Sequence, residues 1–383
     1  MDFELNKEQK AIQKAAWEFA QGEFDRDYAL ECDNNHRFPS ELYKKACQVG
    51  LVGVHFPEEY GGQGYGVLEE VLVIEALCRK DPGLGIAIHL RSFGSEMILR
   101  FGNEEQQKKI LPGVVAGETV TGAAFTEPDH GSDVSDVETT AVRDGDDFVI
   151  NGVKTFITNG LDANYISVLC KTNPSAQPTH RGLSMILVET NRPGYEAVDL
   201  GPKMGQRMMA TTEVSLKNLR VPASNLVGQE NRGFYQMLEF FDETRLGIAA
   251  QALGGAQAAH DRALNHVKNR RQFGRRLADF QITQHKIADM ATKIEMARLL
   301  TYKAAWTLDN KGLNPMMTSM AKLAAARAAV EVAEEAIQLY GGYGYFQDNE
   351  VERIYRDIRV LEIYEGTKEV QKNTIAAALV GKG

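Results

Sequence analysis

The chain has little of what marks several common protein classes. Only four of its 383 residues are cysteine (Cys32, Cys47, Cys78 and Cys170), and no two form a C-x-x-C pair. That spacing offers neither a zinc ribbon nor a disulfide framework, and it points to a reducing compartment. The eight histidines show no ligand-like cluster and H-E-x-x-H is absent, so no metal site is expected. The G-x-x-x-x-G-K-[ST] loop of nucleoside triphosphate sites is missing too. No stretch approaches the ~18 consecutive apolar residues of a membrane span. A surplus of positive charge is also lacking: a net charge of −9 argues against a nucleic-acid binder. Met1-Asp2-Phe3 leads straight into a helical pattern without a signal or transit peptide, so a cytoplasmic protein is expected.

What is present is ordinary for a soluble globular protein, 43% hydrophobic and 25% charged, at a length that allows a core enclosing a bulky cofactor. Residues 1–120 read as helical. Asn6 can cap the first run with Gln9 three residues on, and Ile12, Ala16 and Phe19 then share a face. Pro39-Ser40 open a second run through Leu42 and Cys47, a glycine-rich loop covers 57–66, and 67–80 and 95–110 look helical again. From Thr121 to residue 232 the character is β. Asn151-Gly152 sits between two β-branched, aromatic runs at 148–157, the pattern of a tight hairpin. Tyr165–Cys170, Leu183–Val188 and Glu213–Leu216 are further strands, and 173–182 is a surface loop. From Gly233 to 383 helical spacing returns, through Ile287, Met290, Ile294 and Ala297 and an alanine-rich run at 321–336. Helices, strands, then helices predict an α+β fold rather than βαβ units.

Each candidate site has a bland reading beside the functional one. Gly341-Gly-Tyr-Gly follows a helix, not a strand, so it lacks dinucleotide-fingerprint context and reads as a helix C-cap. Lys268–Arg276 packs basic residues closely in an acidic protein: a solvated face, or an anion clamp for a pyrophosphate. Phe125–Asp133 is a loop of small, hydroxylated and acidic residues before the sheet: a domain-junction turn, or a site loop. Glu365, between Tyr364 and Gly366, is a solvated carboxylate, or a half-buried general base with a tuned pKa.

In order along the whole chain, Pro57–Gly62, Thr126–Asp133, Asn151–Gly160, Lys203–Arg207, Val221–Gly228, Phe241–Arg245, Arg270–Gly274, Gln338–Gly344 and Ile363–Thr367 resemble the acyl-CoA dehydrogenase family. The resemblance implies an N-terminal helical domain, a central β-domain and a C-terminal four-helix bundle. FAD would lie extended between the last two, usually in a homotetramer whose neighbouring subunit completes each flavin site. Motif by motif, it implies that Phe125 and Thr126 face the flavin ring and that Ser132 reaches the CoA thioester end or nearby phosphates. Phe156 would stack near the isoalloxazine, where many relatives have tryptophan, and Thr158 would hydrogen-bond the flavin. Arg271 and Phe273 would reach the neighbouring subunit's FAD, with Gln338 and Gly342 on its pyrophosphate or adenosine part. Thr367 and Glu369 would close over FAD. Asp242 and Arg245 would line the CoA channel, and Tyr364 and Gly366 would flank the substrate.

The activity so implied is α,β-dehydrogenation of an acyl-CoA to the 2-enoyl-CoA. Glu365 would remove the α-proton and electrons would pass on to an electron-transferring flavoprotein. An acyl-CoA oxidase, an enoyl-CoA reductase and a non-enzymatic acyl-CoA-binding scaffold are the alternatives. The segment 83–92 matches the acyl-pocket region of relatives, and His89 and Arg91 are basic there. Arg91 points to solvent or pairs with an acid, or the two recognise a carboxylate or other polar group; branched and cyclic acyl groups also stay open.

Overall fold

In the computed structural model, which describes residues 4–381, the chain changes secondary structure twice. Met1-Asp2-Phe3 lies outside the described residues. The first part is helical: α1 (Lys7–Glu23), α2 (Arg26–Asn34), α3 (Ser40–Gln48), α4 (Val67–Lys80), α5 (Pro82–Leu90), α6 (Ser95–Phe101) and α7 (Glu104–Val115). Asn6 caps α1 in a reciprocal box with Gln9, as its spacing predicts. The single helix expected over 95–110 is two. Gly102 ends α6, and Asn103 restarts the chain by capping α7 in a second box with Gln106.

The middle is one sheet built from β1 (Thr121–Ala124), β2 (Thr140–Asp144), β3 (Asp147–Thr158), β4 (Tyr165–Lys171), β5 (Leu183–Glu189), β6 (Tyr195–Asp199), β7 (Thr211–Pro222) and β8 (Leu226–Val227). The order is β6-β7-β3-β2-β4-β5-β8, with β1 parallel to β4. Both faces are covered. Leu183, Met185 and Leu187 of β5 meet the core shared with α6 and α7, while Ile186 and Val188 point to the opposite one, the period of two that a strand requires.

Asn151-Gly152 is not a hairpin turn. β3 runs straight through it, because β7 pairs with both halves: Phe148 with Val221 on one side, Lys154 with Val214 on the other. The dipeptide makes a register shift instead, with Asn151 Oδ1 accepting from the Asn218 amide at 2.8 Å. The reversal falls at Gly145-Asp146, where Asp144 pairs with Asp147 and Gly145 has φ +64°. Gly-Asp, with glycine at the first central position, is another sequence signal for a two-residue hairpin.

The last part holds α8 (Gly233–Asn269), α9 (Gln281–Lys311), α10 (Pro315–Tyr340), α11 (Val351–Ile358) and α12 (Lys368–Val380), with a small β9 (Arg271–Gln272)–β10 (Arg275–Arg276) hairpin between α8 and α9. α10 packs against α8, α9 and α12, which makes the four-helix bundle, and α8 also touches α4 and β5. α8 is thus the spine joining all three parts.

Candidate active site

Glu365 lies in the short segment before α12, with its backbone in the left-handed region at φ +52°. A non-glycine residue holds that conformation only where its surroundings over-determine it, and here they do. Its carbonyl accepts from Arg245 Nε and Gln371 Nε2, both at 3.0 Å. The next carbonyl, of Gly366, accepts from Gln371 Nε2 at 2.9 Å and from Lys322 Nζ at 2.7 Å. Thr244 Oγ1 donates to the carboxylate Oε2 at 2.9 Å. The side chain is half-buried, and burial pushes its carboxyl up to about 7, against the Thr244 hydrogen bond and the Arg245 and Lys322 charges, which hold it down. A carboxylate tuned to about 7 suits proton abstraction near neutral pH. Thr244→Val removes the hydroxyl donor. The Glu365 pKa should then rise further, displacing any pH–rate profile it controls to higher pH; an unmoved profile would show that the hydroxyl has no hold on it.

Asp242 and Arg245 stand beneath this segment, not on an open wall. Both are buried, and Arg245 Nη1 donates to Asp242 Oδ1 at 3.1 Å. Arg245 Nε and Nη1 are committed to the Glu365 carbonyl and to Asp242, so the pair supports the segment that carries the base. Burial outweighs Arg245 and pushes Asp242 up to about 6. Lys322, 1% exposed, is depressed to about 8 by burial. Thr244 sits inside the Phe241–Arg245 motif without standing out. Lys322 could have been found by helical phasing, since it shares a buried face of α10 with Ala325, Ala326 and Ala329.

The ends of β1 and β3 form a second cluster. Thr155 N donates to Thr126 O at 2.9 Å, which ties Thr126 to the end of β3 that carries Phe156 and Thr158. A register shift between Lys154 and Ile157 turns Phe156 outward, 68% exposed at φ +59°. An exposed aromatic on a strained bulge is an offered surface. Phe125 does not share it: its ring is buried edge-on against Phe240 and Phe241 of α8, at 5.7 and 5.3 Å, leaving only its backbone available to a ligand. Because Arg245 lies over Phe241 at 5.6 Å, α8 connects this cluster to Glu365. Lys154 holds the loop from behind, donating to Phe125 O and Glu127 Oε1 at 3.1 and 2.8 Å. Ser132 is exposed farther along it.

The remaining candidates sit apart. Phe273 projects from the β9–β10 hairpin, 92% exposed at φ +51°, with Arg271 exposed beside it. Gln338 and Gly342 line a cleft of about 620 Å³ with Arg270, Gln272 and Tyr343. None of its lining residues belongs to the Glu365 cluster. Thr367 caps α12 by accepting from Val370 N, and Glu369 is exposed in its first turn. Arg91 leaves the set: it pairs with Asp162 at 2.8 Å and lies over the Phe38 ring at 4.3 Å, so its charge is answered within the protein. His89 Nδ1 meets Gln251 Nε2 at 2.7 Å, and Tyr364 OH donates to Gln251 Oε1 at 2.8 Å. Among the described residues no group of three or more His, Cys, Asp or Glu could hold a metal.

Residues 6–118, 122–219 and 231–380 match the N-terminal, middle and C-terminal domains of acyl-CoA dehydrogenase, in that order. The chain belongs to the acyl-CoA dehydrogenase family. It is 41% identical to an acyl-CoA dehydrogenase of Bacillus subtilis over 98% of this chain and 99% of that one. It is 37% identical to the caffeyl-CoA reductase-Etf complex subunit CarC of Acetobacterium woodii, over 99% and 100%. A glutaryl-CoA dehydrogenase from Mycobacterium smegmatis in complex with FADH2 superposes with TM-score 0.92 at 30% identity, covering 99% and 96%. This acyl-CoA dehydrogenase is accordingly an FAD-dependent oxidoreductase. Its own residues fit the cofactor: an exposed aromatic on a strained bulge, a hydroxyl-lined sheet end and an arginine-rich hairpin beside an open cleft.

Proposed function

We propose that Glu365 is the base that takes the α-proton of an acyl-CoA thioester. The observation that carries this is a half-buried carboxylate on a left-handed backbone, pinned by Arg245, Lys322 and Gln371, with its pKa near 7. Bound FAD supplies the acceptor for the β-hydride. The chain's contribution is orientation and electrostatics. Glu365 meets the α-carbon, and its Thr244 hydrogen bond fixes the direction of its carboxylate. Thr126, Phe156 and Thr158 seat the flavin ring, with Ser132 toward the thioester or phosphates. Thr367 and Glu369 close from the α12 side, and Tyr364 and Gly366 flank the acyl group. Arg271 and Phe273, both exposed in one chain, fit a neighbouring subunit's cofactor in a homotetramer, alongside Gln338 and Gly342. The division at about residues 120 and 232 follows the passage from helices to sheet and back. Four free, buried cysteines suit a reducing, cytoplasmic setting, and among the described residues no helix is long and apolar enough to cross a membrane. An electron-transferring flavoprotein as electron acceptor is supported by the relative named as part of an Etf complex.

That relative's name also keeps the reductase direction open. Mixing the enzyme with an acyl-CoA panel without oxygen separates the readings. Flavin bleaching is expected, whereas a protein oxidised only by enoyl-CoA would be a reductase. The pH dependence follows from Glu365. Only its carboxylate form accepts a proton, so kcat/KM should climb as pH rises through about 7 and level off above it. A rate that falls over that range contradicts the assignment.

A further inference from the structure

Three residues on one face of α8, at i, i+3 and i+7, face the segments that carry Glu365 and His89. Thr244 touches the Glu365 carboxylate. Gly247 leaves room for an imidazole, since a Cβ there would stand 2.6 Å from His89 Cε1 and 2.9 Å from its Nε2. Gln251 binds both His89 and Tyr364. The Glu365 carboxylate and His89 therefore meet α8 about one turn apart, roughly 5 Å along its axis at about 1.5 Å per residue.

The hydrogen bonds determine which His89 nitrogen carries the proton. Gln206 Nε2 donates to Tyr364 OH at 3.3 Å, so the tyrosine hydroxyl donates onward to Gln251 Oε1. Gln251 Nε2 thus donates to His89 Nδ1, and the imidazole is the Nε2–H tautomer. Among the described residues Nε2 has no hydrogen-bond partner, and the side chain is only half-buried. Burial also holds the ring's pKa below the usual histidine value, which keeps it neutral.

Building on the proposed dehydrogenation, we propose that His89 is a specificity-determining contact: its Nε2–H donates to an uncharged oxygen (hydroxyl, ketone or ether) borne by the acyl chain beyond its β-carbon. A carboxylate is the poorer fit. Arg91 is turned to Asp162 and burial keeps the His89 ring neutral, while Glu70 and His55 near it are paired with each other, so no free cation is offered to a carboxylate.

The test compares kcat/KM for hexanoyl-CoA, its 4-, 5- and 6-hydroxy derivatives and adipoyl-CoA, using the holoenzyme. The best hydroxy ester should exceed hexanoyl-CoA by about tenfold or more, since a site built around a donor discriminates against a partner that leaves it unpaired. His89→Leu should bring that ratio close to one, and His89→Gln, which keeps an N–H donor, should restore part of it. Gly247→Ala displaces the ring without altering it and should also lower the ratio, so the outcome is readable even if His89→Leu does not fold. Wild-type preference for hexanoyl- or adipoyl-CoA, or a ratio that survives in the folded variants, overturns the role of His89 alone. Bleaching by none of these esters and by none of the wider acyl-CoA panel, with intact FAD, overturns the dehydrogenation reading as well.

Discussion

Glu365→Gln should bind FAD and acyl-CoA and yet reduce its flavin roughly 10²–10⁴-fold more slowly, the contribution typical of a positioned general base. The substitution is nearly isosteric. The oxygen of the introduced amide can still accept from Thr244, and the backbone contacts to Arg245 and Gln371 are unchanged because they reach the carbonyl, not the side chain. What disappears is proton affinity. An equal loss in kcat and kcat/KM would place the missing interaction in the transition state rather than in substrate binding. Rapid mixing under anaerobic conditions reads the rate directly, and near-normal bleaching would falsify the assignment.

The largest effect on stability is expected at Lys154→Met. Lys154 is 0% exposed, and its ammonium lies 2.8 Å from Glu127, which is also buried. The Glu127 carboxylate accepts as well from the amides of Glu138 and Thr139, at 2.6 and 2.9 Å. Removing the cation leaves a buried charge uncompensated, which costs about 3–5 kcal/mol. Because the same ammonium holds the Phe125 carbonyl, the loop from Phe125 to Asp133 should loosen and FAD affinity should fall. Adding Glu127→Leu removes the orphaned charge, so the double variant should regain much of the lost stability in a denaturation series. A single variant as stable as the wild type would show that the pair does not hold the loop.

The layout is legible in the sequence because each part has its own hydrophobic pattern: helical in α1 and α9, a short apolar run buried on both faces in β5. Sequence and structure part where a local signal meets a non-local partner. Asn151-Gly152 has the chemistry of a tight turn, but β7 pairs along both sides of it and converts the turn into a shift of register. Gly102-Asn103 shows the converse, a cap hidden inside what reads as one helix. At the site, Glu365 is visible through its motif, whereas its support is not. Nothing in a linear sequence reveals that Arg245 also holds Asp242 and a carbonyl 120 positions away. Arg91 is the same case, since Asp162 lies 71 residues off. The bond between Gln251 and His89 spans 162 residues and carries no local signature.

Proton removal at the α-carbon by Glu365 is the step on which the proposed reaction depends. The direct measurement is the rate of anaerobic flavin reduction with acyl-CoA deuterated at Cα against the unlabelled ester, in wild type at a pH above 7. The account predicts a severalfold slowing, because the C–H bond that Glu365 breaks is broken in the step observed. Equal rates for the two esters, at saturating concentrations and with chemistry limiting, would contradict it.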